Sequence, residues 1–278
     1  MSVVPKKRLG QHFLVDDNIL DVIGRLAALD ADDIVLEVGP GLGALTRYLA
    51  ERVSHVHAVE LDRSLDTALE GIQRVTMHWL DALALDVSTL DPPPGKLVAN
   101  LPYNIATPLI VESLDSMPGI ANWCVMVQRE VADRLFAEPR TKAYGAVSVL
   151  VQLTTARVGF HAVSREVFRP RPNVESALVA FARIGPGPGP DLKRLVESSF
   201  AHRRKTLANS LVLTGLSSRE RAVAALEGLG QSARARAEEL TPAEFVALAA
   251  ALGSSTLGSS TLGSSTPCSS TAGSSTAG

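Results

Sequence analysis

The chain has 278 residues, 46% hydrophobic and 20% charged, with 27 basic and 29 acidic side chains for a formal net charge of −2. That composition supports a sizeable core and excludes wholesale disorder. Two cysteines, Cys124 and Cys268, cannot build a disulfide framework, and no paired Cys/His spacing suggests zinc. No apolar run approaches the roughly 18 residues of a membrane helix, and residues 1–13 lack a signal-peptide stretch. The expectation is a soluble, reduced, cytoplasmic protein with no membrane association. Nothing in the sequence demands more than a monomer.

In chain order, Asp33-Ile-Val-Leu-Glu-Val38 predicts a strand running into glycines, then a helix from about Leu42 to Glu51. His55–Glu60 predicts a second strand, Ser64–Gly71 a helix, Val75–Trp79 and Lys96–Asn100 two more strands, and Trp123–Val127 a fifth. Strands alternating with helices at this spacing predict an α/β, Rossmann-like fold with a mostly parallel sheet and a ligand site at the strands' carboxyl ends. The run Gly185-Pro-Gly-Pro-Gly-Pro190 predicts a linker. Beyond it, Leu192–Leu252 predicts a small helical domain, with a cap at Thr241-Pro242 and Glu244 in the first turn. The expected organisation is a basic arm over 1–15, a nucleotide-fold domain over 16–184, a linker over 185–190 and a helical domain over 191–252. A disordered Ser/Thr/Gly-rich tail is expected over 253–278.

Charge is unevenly placed. Residues 1–15 hold Lys6, Lys7 and Arg8 and no acid. Residues 16–127 hold 6 basic and 17 acidic side chains, and residues 128–252 hold 18 basic and 12 acidic. Basic segments flanking an acidic middle suit a polyanionic partner. Ordinary surface solvation fits the same counts.

Glu37-Val-Gly39-Pro-Gly41-Leu-Gly43 falls between a strand and a helix, where glycine lets the backbone approach a ligand. Glu60 ends the next strand, where a carboxylate can accept hydrogen bonds from both ribose hydroxyls. The pair marks a nucleoside cofactor. S-adenosylmethionine and a dinucleotide both remain open here, because Ala44 completes the permissive G-x-G-x-x-G/A pattern. Asp81, after the third strand, suits either an adenine amino group or a helix amino-cap.

Asn100-Leu101-Pro102-Tyr103 follows the fourth strand and suits attack by an exocyclic amine on a methyl sulfonium. An adenine amino nitrogen is a poor nucleophile, its lone pair being delocalised into the ring. The Asn100 side-chain oxygen and the Leu101 carbonyl could accept its two N–H bonds, orient the lone pair and stabilise the developing charge. Pro102 offers no competing donor and holds Leu101 extended. Tyr103 can stack on an extruded base. His55 and His57 share one face of a strand without a third metal ligand, and Cys124 reads as a buried small hydrophobe. Arg203-Arg-Lys205 suits a solvated helix face as well as a phosphate track, and Phe168-Arg-Pro-Arg-Pro suits a rigid loop or a base-pocket wall.

Taken together, these segments resemble the ribosomal RNA adenine dimethyltransferase family. The landmarks are Lys7-Arg-Leu-Gly-Gln-His-Phe-Leu14, Glu37–Gly43, Glu60-Leu-Asp62, Asn100–Pro108, Gln128-Arg-Glu-Val-Ala132, Phe168–Val174 and Phe200-Ala-His-Arg-Arg-Lys-Thr206, covering about Lys6 to Leu252. The resemblance implies a class I methyltransferase domain with a small helical carboxyl-terminal domain. It implies S-adenosylmethionine-dependent dimethylation of N6 on two adjacent adenosines near the 3′ end of 16S rRNA, on a pre-assembled small ribosomal subunit. Cofactor contacts would fall on His12, Leu14, Gly39, Gly41, Glu60, Asp81 and Asn100, with Asn100 to Tyr103 around the target adenine. Contacts to rRNA would fall on Lys6, Lys7, Arg8, Arg169, Arg171, Arg203, Arg204 and Lys205. The chain departs from the family at His12, usually Asn, and at Leu80, usually Gly. The alternatives are a macrolide-resistance type methyltransferase acting on large-subunit rRNA and a non-catalytic ribosome-assembly factor. A dehydrogenase is disfavoured because no His/Arg/Asp hydride-transfer set follows the glycine loop.

Overall fold

The computed structural model describes residues 11–254. The chain begins with a short strand β1 (Phe13–Leu14) and helix α1 (Asp17–Leu26), capped by Asp16, whose carboxylate accepts from Asn18 N at 2.8 Å. Ile19, Leu20 and Ile23 form its buried stripe. Then come β2 (Ile34–Val38), α2 (Ala44–Ala50), β3 (His55–Glu60), α3 (Asp66–Leu69), β4 (Val75–Trp79), β5 (Lys96–Asn100), α4 (Ala106–Ser116) and β6 (Asn122–Gln128). The predicted helix over Ser64–Gly71 is shorter, a 3₁₀ turn at Arg63–Leu65 leading into α3. After β6 follow α5 (Arg129–Leu135), α6 (Ala146–Thr154), β7 (Thr155–Val163), β8 (Phe168–Arg169) and β9 (Ser176–Arg183). Four helices complete the described chain: α7 (Gly189–Phe200), α8 (Leu207–Leu213), α9 (Arg219–Gly228) and α10 (Pro242–Ser254).

Among the described residues, seven strands form one sheet in the order β4-β3-β2-β5-β6-β9-β7. The first five are parallel, and β9 runs antiparallel to both β6 and β7. The parallel strands are covered on both faces, which explains their nearly continuous apolar runs. Alternation splits each strand between two cores. On β6, Trp123, Val125 and Val127 face α4, α6 and the carboxyl-terminal helices, whereas Cys124 and Met126 face α1 and α2. Cys124 is the buried small hydrophobe expected; burial pushes its thiol up to about 12. Each wholly buried large apolar side chain contributes about 1.5–3 kcal/mol. An exposed ion pair such as Arg129–Asp133 contributes about 0–1 kcal/mol. Burial therefore decides the fold.

The four carboxyl-terminal helices add Leu195, Val196, Leu211, Leu226, Phe245 and Leu248 to the same core as Leu114, Tyr144 and Val149. The Tyr144 hydroxyl donates to Leu240 O at 2.8 Å, and its ring meets Phe200 edge-on. Helix α7 starts at Gly189, ahead of the predicted Leu192, because proline is tolerated in a first turn and Pro190 sits there. Gly189 N donates to Asp115 Oδ1 at 2.9 Å, fixing that start against α4. The cap at Thr241 forms as read from sequence: Thr241 N and Oγ1 both donate to Glu244 Oε2, and Glu244 N donates back to Thr241 Oγ1. Helix α10 runs to Ser254, two residues into the stretch assigned to the tail; the rest of that tail lies outside the described residues.

At the β3–β4 edge, three imidazoles line up. His57 Nε2 donates to Pro92 O at 2.8 Å, and its Nδ1 lies 3.1 Å from His78 Nε2. His55 Nε2 lies 3.0 Å from Thr76 Oγ1. Burial first, then the neighbouring imidazoles, hold His55 and His78 below the ordinary histidine value. Folding thus favours their neutral forms, so this contribution to stability is intact above the ordinary value and lost as pH falls through it. The melting temperature should drop on acidification from about pH 7 to about pH 5, that is, from above to below the reference histidine value of about 6.5. Substitution His78→Gln should flatten that drop, and an unchanged slope in calorimetry would refute the assignment.

Candidate nucleoside and nucleic-acid site

The strand order reverses between β2 and β5, the place where open α/β sheets bind ligands. The cleft above it encloses about 1080 Å³ including its open mouth, ample for a nucleoside and a second reactant. Its floor is the glycine loop. Gly39 (φ 76°) and Gly41 (φ 58°) both sit in the left-handed region. A Cβ on Gly39 would come within 3.0 Å of the Pro102 ring, and one on Gly41 within 2.8 Å of Phe13. The first glycine therefore lets the two sequence motifs touch, and the second lets the arm close over them.

Glu60, at the end of β3, is 8% exposed. Its Oε2 accepts from Gly41 N at 3.3 Å and its Oε1 from Asp62 N at 2.8 Å. Burial raises its carboxyl above the usual range against the pull of these backbone donors. Asp62 accepts from Gln11 Nε2 at 3.0 Å, tying the arm to the same corner. Asp81 lines the cleft and also caps a 3₁₀ turn, accepting from Leu83 N at 3.0 Å. The two roles open in the sequence are thus compatible at one position. Leu80, where the family usually has Gly, lines the cleft beside it.

Asn100 closes β5, and Leu101 N donates to Met126 O at 3.1 Å, holding the turn on β6. Pro102 O accepts from Ile105 N and Ala106 N, launching α4. The Asn100 Nδ2 donates to His12 O at 3.0 Å. With its N–H side engaged by the arm, the amide keeps Oδ1 as an acceptor. Tyr103 packs 5.4 Å from the His12 ring, and its hydroxyl lies 2.6 Å from Ser176 Oγ. Burial raises the Tyr103 hydroxyl further above its ordinary value, so it is neutral at pH 7.

The arm is strapped down by β1, which pairs antiparallel with β8 in the register Phe13↔Arg169 and Leu14↔Phe168. The departing residue His12 uses its side chain elsewhere: Nδ1 donates to Pro170 O at 2.8 Å, while its carbonyl meets Asn100. Leu14 is buried and lines the cleft. Phe168 is wholly buried and is not among the cleft-lining residues. Its segment walls the cleft only through the arm it pairs with.

Sequence reasoning passed over Glu37 as a site residue. It is 1% exposed and lines the cleft, and its Oε2 has no hydrogen-bond partner among the described residues. Burial pushes its carboxyl up to about 8, with Glu60 adding to the rise. The Thr46 hydroxyl opposes the rise but stops short of hydrogen-bond geometry. Its signal was in the sequence, as an acid inside an apolar strand.

Of the expected RNA contacts, Lys6, Lys7 and Arg8 lie outside the described residues. Arg169 and Arg171 are exposed, Arg171 pairing with Glu166 at 2.7 Å. The Arg203–Lys205 segment is a turn between α7 and α8 and not a helix face, because α7 ends at Phe200. Arg203 donates to Tyr144 O at 3.0 Å and pairs with Glu238, while Arg204 and Lys205 are exposed. Arg140 N donates to Glu238 O at 2.7 Å, bringing the exposed Arg140 and Lys142 beside this turn. No motif had singled out those two.

A parallel sheet, a glycine loop facing a ribose-suited acid and an Asn-Leu-Pro-Tyr turn beside them define a Rossmann-like methyltransferase. The family model described as ribosomal RNA adenine dimethylase matches residues 4–252, and the chain belongs to that family. It is 48% identical to a Ribosomal RNA small subunit methyltransferase A of Rubrobacter xylanophilus, over 88% of this chain and 94% of that protein. It is 43% identical to one of Leifsonia xyli, over 90% and 93%. Among solved structures it is similar to a dimethyladenosine transferase from Plasmodium falciparum, with a TM-score of 0.68 and 25% identity over 85% of this chain and 96% of that one. It is also similar to the 23S rRNA methyltransferase ErmE, with a TM-score of 0.59 and 28% identity over 87% and 99%.

The raised Glu37 carboxyl has a measurable consequence. Folding favours its protonated form, so this contribution is present below the ordinary value of 4.5 and lost as pH rises to about 8. Glu37→Gln, which mimics the protonated acid, should gain stability relative to the ligand-free wild type as pH rises through that window. Urea midpoints at several pH values check this; a constant difference would refute it.

Proposed function

We propose that the chain transfers methyl groups to N6 of two adjacent adenosines in the 3′-terminal hairpin loop of 16S rRNA, acting on a pre-assembled small ribosomal subunit as a cytoplasmic monomer. At the coarser level it is an rRNA adenine dimethyltransferase, and the methyl donor is S-adenosylmethionine. The observation that carries the finer reading is the Asn100 amide, held by the arm with its acceptor oxygen uncommitted at the cleft. The small-subunit relatives support the choice of substrate.

The cleft fits the donor. Gly39 and Gly41 give close backbone approach, Glu60 suits the ribose hydroxyls, Asp81 the adenine amino group, and Leu14 and His12 close the arm side. Glu37, held mainly protonated at neutral pH by burial, offers an unpartnered carboxyl that can hydrogen-bond a polar group of the donor. Bound there, S-adenosylmethionine supplies an electrophilic methyl group on a sulfonium centre. Asn100 Oδ1 and the Leu101 carbonyl accept the two N–H bonds of the target amine, turning its lone pair outward and stabilising positive charge on nitrogen. Pro102 contributes no competing donor, and the Tyr103 face stacks on the extruded base. These neutral acceptors need no general base, since the product's proton can pass to water. Arg169, Arg171, Arg204 and Lys205, with Lys6, Lys7 and Arg8 of the arm, neutralise rRNA phosphates. Arg203 takes part beside them, and Arg140 and Lys142 extend that surface.

Labelled methyl transfer into immature small subunits tests the activity, with 23S rRNA as the competing substrate. Transfer to 23S rRNA alone would favour the large-subunit alternative, and no transfer to either would favour an assembly factor. Asn100→Ala should lower kcat about 10²-fold, as removal of one preorganised polar contact does. Glu60→Ala should weaken S-adenosylmethionine binding in calorimetry, and unchanged binding would undercut the ribose assignment.

A further inference from the structure

Ser176 is the first residue of β9, wholly buried, and pairs in register with Gln128 of β6 and Val163 of β7. The five residues that follow it, Ala177 to Phe181, are all apolar and buried. A hydroxyl at such a position costs free energy unless it is hydrogen-bonded. Its side-chain partner is the Tyr103 hydroxyl at 2.6 Å, 73 residues away in sequence. The bond joins the reactive turn after β5 to the antiparallel strand two places along the sheet.

We infer that Ser176 is a positioning residue for methyl transfer: it engages the Tyr103 hydroxyl, so that the ring is fixed before the target adenosine arrives and offers its face alone to the base. This rests on the reading of Tyr103 as the stacking residue. With the hydroxyl committed to Ser176, Tyr103 contributes stacking, and hydrogen-bond recognition of the amino group falls to Asn100 and Leu101. The His12 ring, 5.4 Å away and tilted by 31°, limits movement on the other side. Misplacement of a reacting partner by about 1 Å can cost about 10²-fold in rate, so loss of one tether at the stacking ring should cost about 10-fold.

The test is a double-mutant cycle on the full chain with small-subunit particles. Ser176→Ala and Tyr103→Phe should each lower kcat/KM for RNA about 10-fold, and the double variant should fall by about the same factor, because both remove one bond. The dissociation constant for S-adenosylmethionine should change less than twofold in each. Tyr103→Phe keeps the ring and the buried strand intact, so it carries the test if Ser176→Ala fails to fold. Losses that multiply in the double variant would overturn the inference, as would a lowered melting temperature with unchanged kcat and KM. A wild-type chain that transfers no methyl group to RNA would count against the proposed activity, whereas an active wild type matched by Ser176→Ala counts against Ser176 alone.

Discussion

Pro102 rests against the α-carbon of Gly39, in space that a single added methyl group would occupy. That approach brings the turn after β5 against the turn after β2, and every other feature of the cleft is arranged around it. Gly41 repeats the device one step outward, admitting Phe13 and with it the arm. The arm then closes the chain of contacts: its His12 carbonyl engages Asn100, its strand pairs with β8, and its Gln11 reaches Asp62. Two positions without side chains thus set the spacing of three segments that are distant in sequence.

Electrostatics works in the opposite sense from packing here. Glu37 and Glu60 are buried within one cleft; burial raises the affinity of both for protons, and Glu60 adds to the rise at Glu37. Glu60 is compensated by two backbone donors, while Glu37 is left with an unsatisfied oxygen. Most buried polar groups in native proteins are hydrogen-bonded, so an unpaired carboxyl oxygen stands out. The carboxyls of the cleft, Glu37, Glu60 and Asp81, stand apart from the exposed basic side chains at 140–142, 169–171 and 203–205, so acidic and basic groups are segregated on the molecule.

The parallel strands were legible because each is buried on both faces and so reads as an apolar run. The motifs were legible because their glycines and proline have few alternative uses. Helix α1 was overlooked although Asp16 followed by Ile19, Leu20 and Ile23 carries both a cap and a stripe. Strand β7 was overlooked as well, although Ala156, Val158, Phe160 and Ala162 alternate with Arg157, Gly159 and His161; as an edge strand it is exposed on both faces along most of its length, so its alternation marks no buried face. The Gly/Pro run misled at its end, since a proline in a first turn starts a helix as readily as it stops one. The contact of His12 with Asn100 spans 88 residues and goes through a backbone carbonyl, which no side-chain pattern can encode.

Helices α7 to α10 share their apolar interior with α4, α6 and the sheet. Cutting the chain in the short connection at 185–188 would therefore free no second folding unit; both pieces would stay clasped through Leu114, Tyr144 and Phe245. Swapping that carboxyl-terminal segment between relatives to alter RNA preference would have to carry the matching faces of α4 and α6 with it.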